Sequence, residues 1–244
     1  MILQAMNKKE EEVAKNIEES ILKYRQLFGG IKMSTSTHLS TGNEMLNEIL
    51  CGGYKKGTLT EISGESDSGK TLLALKAIKQ AEKEHKLSLY ISCNNVINIS
   101  MLSDNNINPD NVSVLYMNTA DVIGPLLSQM IKPIIDSIGV IIIDSLADLT
   151  TTKEQSSSLK ASTEIGRSKI IKALLTRLAN IVRNTDACVL ILNQERTNIV
   201  DNESQGNVST SERWIDMSCD TRIRLSKDED GDSCVEVRFK ERKL

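Results

Sequence analysis

Aromatic side chains make up only 3% of the 244 residues, so a core must be assembled mainly from Leu, Ile, Val and Ala. That palette suits a parallel sheet buried on both faces. Cysteine is present without pattern: the five residues at 51, 93, 188, 219 and 234 are odd in number and include no CxxC pair. They signal neither a disulfide framework nor a zinc site and point to a reducing compartment. Histidine is nearly missing, and His38 and His85 stand apart without metal-spaced neighbours, as surface residues do. There is no excess of basic charge either. A formal net charge of −3 excludes a chain that coats nucleic acid through its overall field, so any such contact must come from a local basic patch or from a partner. No apolar run is long enough to span a bilayer, and the first residues carry no leader pattern, so a soluble protein is expected.

What is present is an alternation. Residues 7 to about 28 place Val13, Ile17, Ile21, Leu22 and Tyr24 near helical spacing among charges, which predicts one amphipathic helix ended at Gly29 and Gly30. With the Ser- and Thr-rich stretch after it, this makes an N-terminal segment, 1–38, ahead of a main body, 39–244. In the body, short apolar runs alternate with helical segments, the pattern of a parallel sheet with crossover helices. Strands are predicted at 57–63, 87–92, 112–117, 140–143 and 187–193, with helices at 69–84, about 123–137 and 168–184. A last hairpin, 220–226 with 234–239, is joined by the acidic run Asp228-Glu229-Asp230-Gly231-Asp232. The Asn-rich stretch 94–111 is expected to be a solvated loop and short helix.

The strongest motif is Gly64-Glu65-Ser66-Asp67-Ser68-Gly69-Lys70-Thr71, which matches G-x-x-x-x-G-K-[ST] between a predicted strand and a predicted helix. Glycines there let backbone N–H groups wrap phosphates, and the helix N-terminus adds its positive dipole end. Lys70 is placed to neutralise the β and γ phosphates of ATP, and Thr71 to ligate Mg²⁺. The run Val140-Ile141-Ile142-Ile143-Asp144-Ser145 is an apolar strand ending in a carboxylate, suited to holding a magnesium-bound water beside that loop.

From these residues onward the chain resembles the RecA superfamily over roughly Leu39 to its C-terminus. Ser40-Thr41-Gly42 with Leu46 and Leu50 resembles the entry segment of these cores, and Thr221-Arg222-Ile223-Arg224-Leu225 a late core strand. The strand end Leu192-Asn193-Gln194 resembles the one that carries the polar nucleotide sensor, which would be Gln194. Lys240-Glu241-Arg242 resembles the terminal pair of cations that act on a neighbour's nucleotide. Leu59-Thr60-Glu61-Ile62 and Trp214 look more like the eukaryotic recombinase and its paralogues than like bacterial RecA. The resemblance implies an α/β P-loop core and an ATP- and Mg-binding protein of homologous recombination and DNA repair, nuclear, or cytoplasmic if prokaryotic or viral. It would assist a RecA-like recombinase, or another paralogue, on single-stranded DNA. Two rival expectations are a minimal phage-type strand-exchange recombinase with DNA-dependent ATPase activity, and an ATP-gated structural protein of the same fold without a nucleic-acid role.

Two departures bear on mechanism. The resemblance implies a water-activating glutamate after the second core strand, yet Asn94 and Asn95 follow Ser92 and Cys93. An amide cannot accept the water's proton, so weak hydrolysis is expected unless another carboxylate substitutes. Glu65 is a conceivable stand-in, although a solvent-facing role suits it better. The loops that bind single-stranded DNA in relatives would fall at 149–166 and 195–213. The first is only slightly basic. The second sets Glu195, Asp201, Glu203 and Glu212 against Arg196 and Arg213, so DNA contact through it is expected to be weak or partner-assisted. Trp214 is expected to pack on the core.

Overall fold

The computed structural model describes residues 37–94, 97–156, 163–200, 203–209, 212–227 and 233–240. The predicted N-terminal helix, Asn95, the acidic run 228–232 and Arg242 lie outside these residues.

Ten strands are present among them: β1 (His38–Leu39), β2 (Tyr54–Lys55), β3 (Leu59–Gly64), β4 (Leu87–Ser92), β5 (Val112–Tyr116), β6 (Ile138–Asp144), β7 (Cys188–Val200), β8 (Glu203–Ser209), β9 (Thr221–Lys227) and β10 (Ser233–Phe239). The helices are α1 (Glu44–Ile49), α2 (Lys70–Lys83), α3 (Ile99–Asp104), α4 (Ala120–Met130), α5 (Thr152–Ser156), α6 (Thr163–Val182) and α7 (Glu212–Ser218). The main sheet has the order β10-β9-β3-β7-β6-β4-β5, with β8 paired to β7 outside that path. Its strands run parallel except where β10 pairs β9 and β8 pairs β7. This is the α/β core with a mostly parallel central sheet that the alternation predicts.

Side chains on successive strand residues point to opposite faces, and here both faces are covered. Leu59, Leu89, Ile91, Ile141, Ile143, Val189 and Ile191 pack with α4, α6 and Ile215 of α7 on one side. Ile62, Tyr90, Val140, Ile142, Leu190 and Leu192 pack with α1, α2 and α3 on the other. Burial on both faces explains why the central strand β6 and the first half of β7 appear in sequence as near-continuous apolar runs. Among the described residues no helix is long and apolar enough to cross a membrane.

The chain leaves β3 through α2 and passes over β7 and β6 to reach β4, whereas β9, later in sequence, returns to the other side of β3. The carboxyl end of β3 is therefore a topological switch point, where open α/β sheets leave a crevice for ligands. Several predicted boundaries shift. The helix expected at about 123–137 starts at Ala120, after Thr119, and gives way at Lys132–Ser137 to a 3₁₀ turn containing Pro133; proline removes a helical N–H and disfavours its continuation. The strand expected to end at Asn193 runs on to Val200 and folds back against β8. The second loop expected to bind DNA is thus built largely as an antiparallel hairpin.

Candidate nucleotide site

The predicted phosphate loop lies at that switch point. Gly64 closes β3 with φ +155°, and a Cβ there would stand 2.4 Å from the carbonyl oxygen of Leu225. Only glycine lets β3 and β9 approach so closely. Gly69 is the N-cap of α2 in a left-handed conformation, with no side chain capping the helix. The first backbone N–H groups of α2 are consequently left for an external acceptor, which is how a helix start receives phosphate. An added Cβ on Gly69 would meet nothing within 4 Å, so the space before the helix is clear. The Lys70 ammonium crosses this space, donating to the Gly64 carbonyl at 3.0 Å, to the Glu65 carbonyl, and to Ser68 Oγ at 3.3 Å. Glu65, Ser66 and Asp67 are exposed on the rim, while Ser68 and Thr71 are half-buried within it.

Asp144, at the end of β6, comes to the opposite side of the loop. Its Oδ2 accepts from Thr71 Oγ1 at 3.5 Å and from the Tyr90 hydroxyl at 2.5 Å. Burial pushes the Asp144 carboxyl above the usual range; Asp148 adds to the shift, while the Tyr90 bond, Lys70 and Thr71 act against it. Burial likewise lowers Lys70, against the pull of Asp144 and of further carboxylates. A carboxylate and a lysine partly stripped of water, beside a helix start that no side chain caps, form a site that Mg²⁺ with a triphosphate would complete. Thr71 and Asp144 would hold that Mg²⁺, Asp144 through water, and the loop 64–71 with Lys70 would hold the phosphates of ATP. Among the described residues no group of three or more His, Cys, Asp or Glu forms a metal cage. Mg²⁺ needs none, because it keeps several waters and uses few protein ligands beside phosphates.

Gln194 lies in register with Gly64 across the β3 and β7 pair, half-buried at the mouth of the loop. Lys240 does not join this group. It follows β10, whose Phe239 is in register with Thr221 at the start of β9, and its Nζ donates to Met217 O at 2.7 Å. At about 3.3 Å per residue the six residues of β3 put it roughly 16–20 Å from its own phosphate loop, beyond the reach of a lysine side chain. Trp214 is half-buried against the core, with the Lys172 ammonium 4.6 Å above its ring.

Sequence reasoning missed a polar network beneath the loop. Glu61 is fully buried and accepts from Arg222 Nε at 2.6 Å and from Asn193 Nδ2 at 2.8 Å. Glu195 accepts from Ser63 Oγ at 2.8 Å and from Arg224 Nε at 3.1 Å. Glu195 thus faces the sheet network, which corrects its expected place among the charges that repel phosphate from the second loop. The sequence signal was the alternation within Leu59-Thr60-Glu61-Ile62-Ser63, which sets Glu61 and Ser63 on one face.

A second missed feature is a cleft of about 530 Å³ along the outer side of α6, lined by Lys132, Lys169, Lys172 and Arg177 and by no acidic side chain. In a chain of net charge −3 this is a local concentration of cations. Its helical residues 169, 172, 173, 176 and 180 recur at three- and four-residue steps, so they form one exposed face of α6.

Comparison with known proteins agrees with this geometry. A family model described as the RecA N-terminal domain matches residues 4–238. The chain is 28% identical over 181 residues to Protein RecA of Mycoplasma genitalium, covering 74% of this chain and 53% of that protein. It is 24% identical over 199 residues to Protein RecA of Mesoplasma florum, covering 81% of this chain and 58% of that one. With Protein RecA of Borreliella burgdorferi it shares 30% over 165 residues, 66% of this chain and 44% of that protein. The chain therefore spans about half the length of these relatives. They are bacterial, where the segment before the phosphate loop and Trp214 had suggested eukaryotic paralogues.

Proposed function

Because this chain belongs to the RecA family, we propose that it is an ATP-switched recombination protein that stacks head-to-tail with RecA-like chains, its own copies included, on single-stranded DNA. The observation that carries this reading is the placing of the phosphate loop and Lys240 at opposite ends of one sheet. A contact joining these two ends is heterologous and propagates as a filament. It brings the Lys240 cation of one chain toward the γ-phosphate side of the next, where a trans cation favours the bound triphosphate. Arg242 extends the same cationic segment in sequence. ATP binding and association are coupled in this way, and the products of the recombination step are repaired or exchanged DNA strands.

The cationic face of α6 supports contact with the DNA backbone by the chain itself. This favours a protein that forms its own filament over one that only assists a recombinase. The assisting role keeps its support in the second loop, whose Asp201, Glu203 and Glu212 give it an acidic balance. Strand exchange by the chain alone identifies the first role, and stimulation of a separate recombinase without such exchange identifies the second.

The α6 face gives a direct test. For single strands, log affinity falls with log salt by about 0.7 for each phosphate neutralised. Lys169→Ala with Lys172→Ala should therefore weaken oligo-dT binding in Mg-ATP and reduce the salt slope by about 1.4. Fluorescence anisotropy across a salt series measures both, and an unchanged slope in the double variant would remove α6 from the DNA contact.

A further inference from the structure

We infer that Asp148 is the carboxylate that takes the proton from the attacking water when ATP is hydrolysed at this site. The inference rests on the nucleotide reading of the phosphate loop and assigns a role within it.

Asp148 ends the 3₁₀ turn Leu146–Asp148 that follows β6, four residues beyond Asp144, and it is half-buried. Two donors hold it: Ser145 Oγ at 2.5 Å and Asn94 Nδ2 at 3.1 Å. Both converge on Oδ2, and no described residue bonds Oδ1. The carboxylate is therefore fixed by one oxygen while no described residue holds the other. Its place beside the metal-binding side follows from the strand ends: Ser92 is in register with Asp144, Cys93 N–H donates to the Asp144 carbonyl at 2.6 Å, and the next residue, Asn94, bonds Asp148. The Cys93 thiol, pushed up to about 12 chiefly by burial, stays protonated and supplies no base itself.

The other carboxylates near the loop have different tasks. Asp144 is bound by Thr71 and Tyr90 through Oδ2 and would hold the magnesium through water. Glu195 is held by Ser63 and Arg224. Glu65 and Asp67 are exposed on the outer rim. Asn94 cannot accept a proton, but as a donor it orients a residue that can.

The step balances. Asp148 accepts one proton from water as the water oxygen bonds to the γ-phosphorus. The bond from that phosphorus to the β,γ-bridging oxygen breaks, and the electron pair leaves on ADP. Asp148 then releases the proton to solvent, leaving ADP and inorganic phosphate. A positioned base of this kind contributes about 10² to 10⁴-fold.

Asp148→Asn is the informative variant, because the amide oxygen still accepts from Ser145 and Asn94 and the turn is preserved. With oligo-dT and Mg²⁺ present, its affinity for adenylyl imidodiphosphate should stay within about twofold, while single-turnover ATP hydrolysis should fall by about 10²-fold or more. The lifetime of the complex with a fluorescent ATP, measured by chase, should lengthen toward that of the non-hydrolysable analogue. Adding Asn94→Asp to Asp148→Asn moves the carboxylate across the same hydrogen bond and should recover at least part of the rate. Hydrolysis by Asp148→Asn at nearly the unmodified rate overturns the assignment, as does an unmodified chain that binds the analogue without hydrolysing ATP. Failure of the unmodified chain to bind the analogue overturns the nucleotide reading as well, and so is told apart from failure of Asp148 alone.

Discussion

Lys70→Ala is expected to abolish the thermal stabilisation that Mg-ATP gives the unmodified protein. A ligand that binds only the folded chain adds about 2.7 kcal/mol at a hundredfold excess over Kd. For a chain of this size that corresponds to a rise in Tm of roughly 5–10 °C. The Lys70 ammonium is the one cation inside the loop, where it reaches the carbonyls of Gly64 and Glu65 and the Ser68 hydroxyl. Without it, no protein side-chain cation within the loop meets the phosphates. The ligand-free Tm should move little, by about 2 °C, because Lys70 is only half-buried at the start of α2 and its removal opens no core cavity. Differential scanning fluorimetry with and without Mg-ATP checks both halves of this expectation. A variant stabilised as much as the parent would remove the loop from nucleotide binding.

The second large effect concerns stability itself. Arg222→Ala removes the guanidinium 2.6 Å from Glu61, whose side chain is fully buried. Taking one partner from a buried pair costs about 3–5 kcal/mol, because the remaining charge has lost its compensation without regaining water. That is a large part of the 5–15 kcal/mol that typically separates folded from unfolded chains. By contrast, Arg238 and Glu236 form a pair at 2.8 Å with side chains 67% and 49% exposed. Arg238→Ala should therefore change stability by no more than about 1 kcal/mol. Urea unfolding of the two variants separates these cases, and an Arg222→Ala midpoint equal to that of Arg238→Ala would contradict the energetic importance of the network. Because Glu61 and Asn193 lie on the two strands that carry the phosphate loop and Gln194, the same network holds the two sides of the nucleotide site in register.

Legibility in the sequence followed the physics of each element. β4 is found at Leu87–Ser92, the predicted bounds, because a strand buried on both faces is a short, mainly apolar run, here Leu87, Leu89, Tyr90 and Ile91 with Ser88, between polar punctuation. The phosphate loop was legible because its chemistry needs fixed residue types at fixed spacing. β7 was truncated in the sequence reading because its outer half carries Gln194, Glu195 and Arg196, and it is stabilised there by pairing with β8 rather than by apolar burial. The charges of Glu61, Glu195, Arg222 and Arg224 look solvated in one dimension. Their pairing spans three strands, so only the strand order β9-β3-β7 reveals it. Asp148 was hidden for the same reason: Asn94 and Asp148 meet only because β4 and β6 are adjacent and end side by side. The cations of α6 were hidden in the net charge, since acidic residues elsewhere cancel them in any count over the whole chain.

Head-to-tail association through the phosphate loop of one chain and Lys240 of the next is tested most directly by mixing two defective variants. Lys70→Ala keeps the Lys240 end intact, and Lys240→Glu keeps the phosphate loop intact. In sedimentation velocity with Mg-ATP and oligo-dT, the unmodified chain should form assemblies that grow with concentration. Each variant alone should lack one half of every interface and add no second protein chain. An equimolar mixture should join the loop of Lys240→Glu to the Lys240 end of Lys70→Ala and stop at two protein chains, since neither free end can add another. A mixture that gains nothing over its components while the unmodified chain assembles, or a Lys240→Glu variant that assembles as the unmodified chain does, would contradict the account.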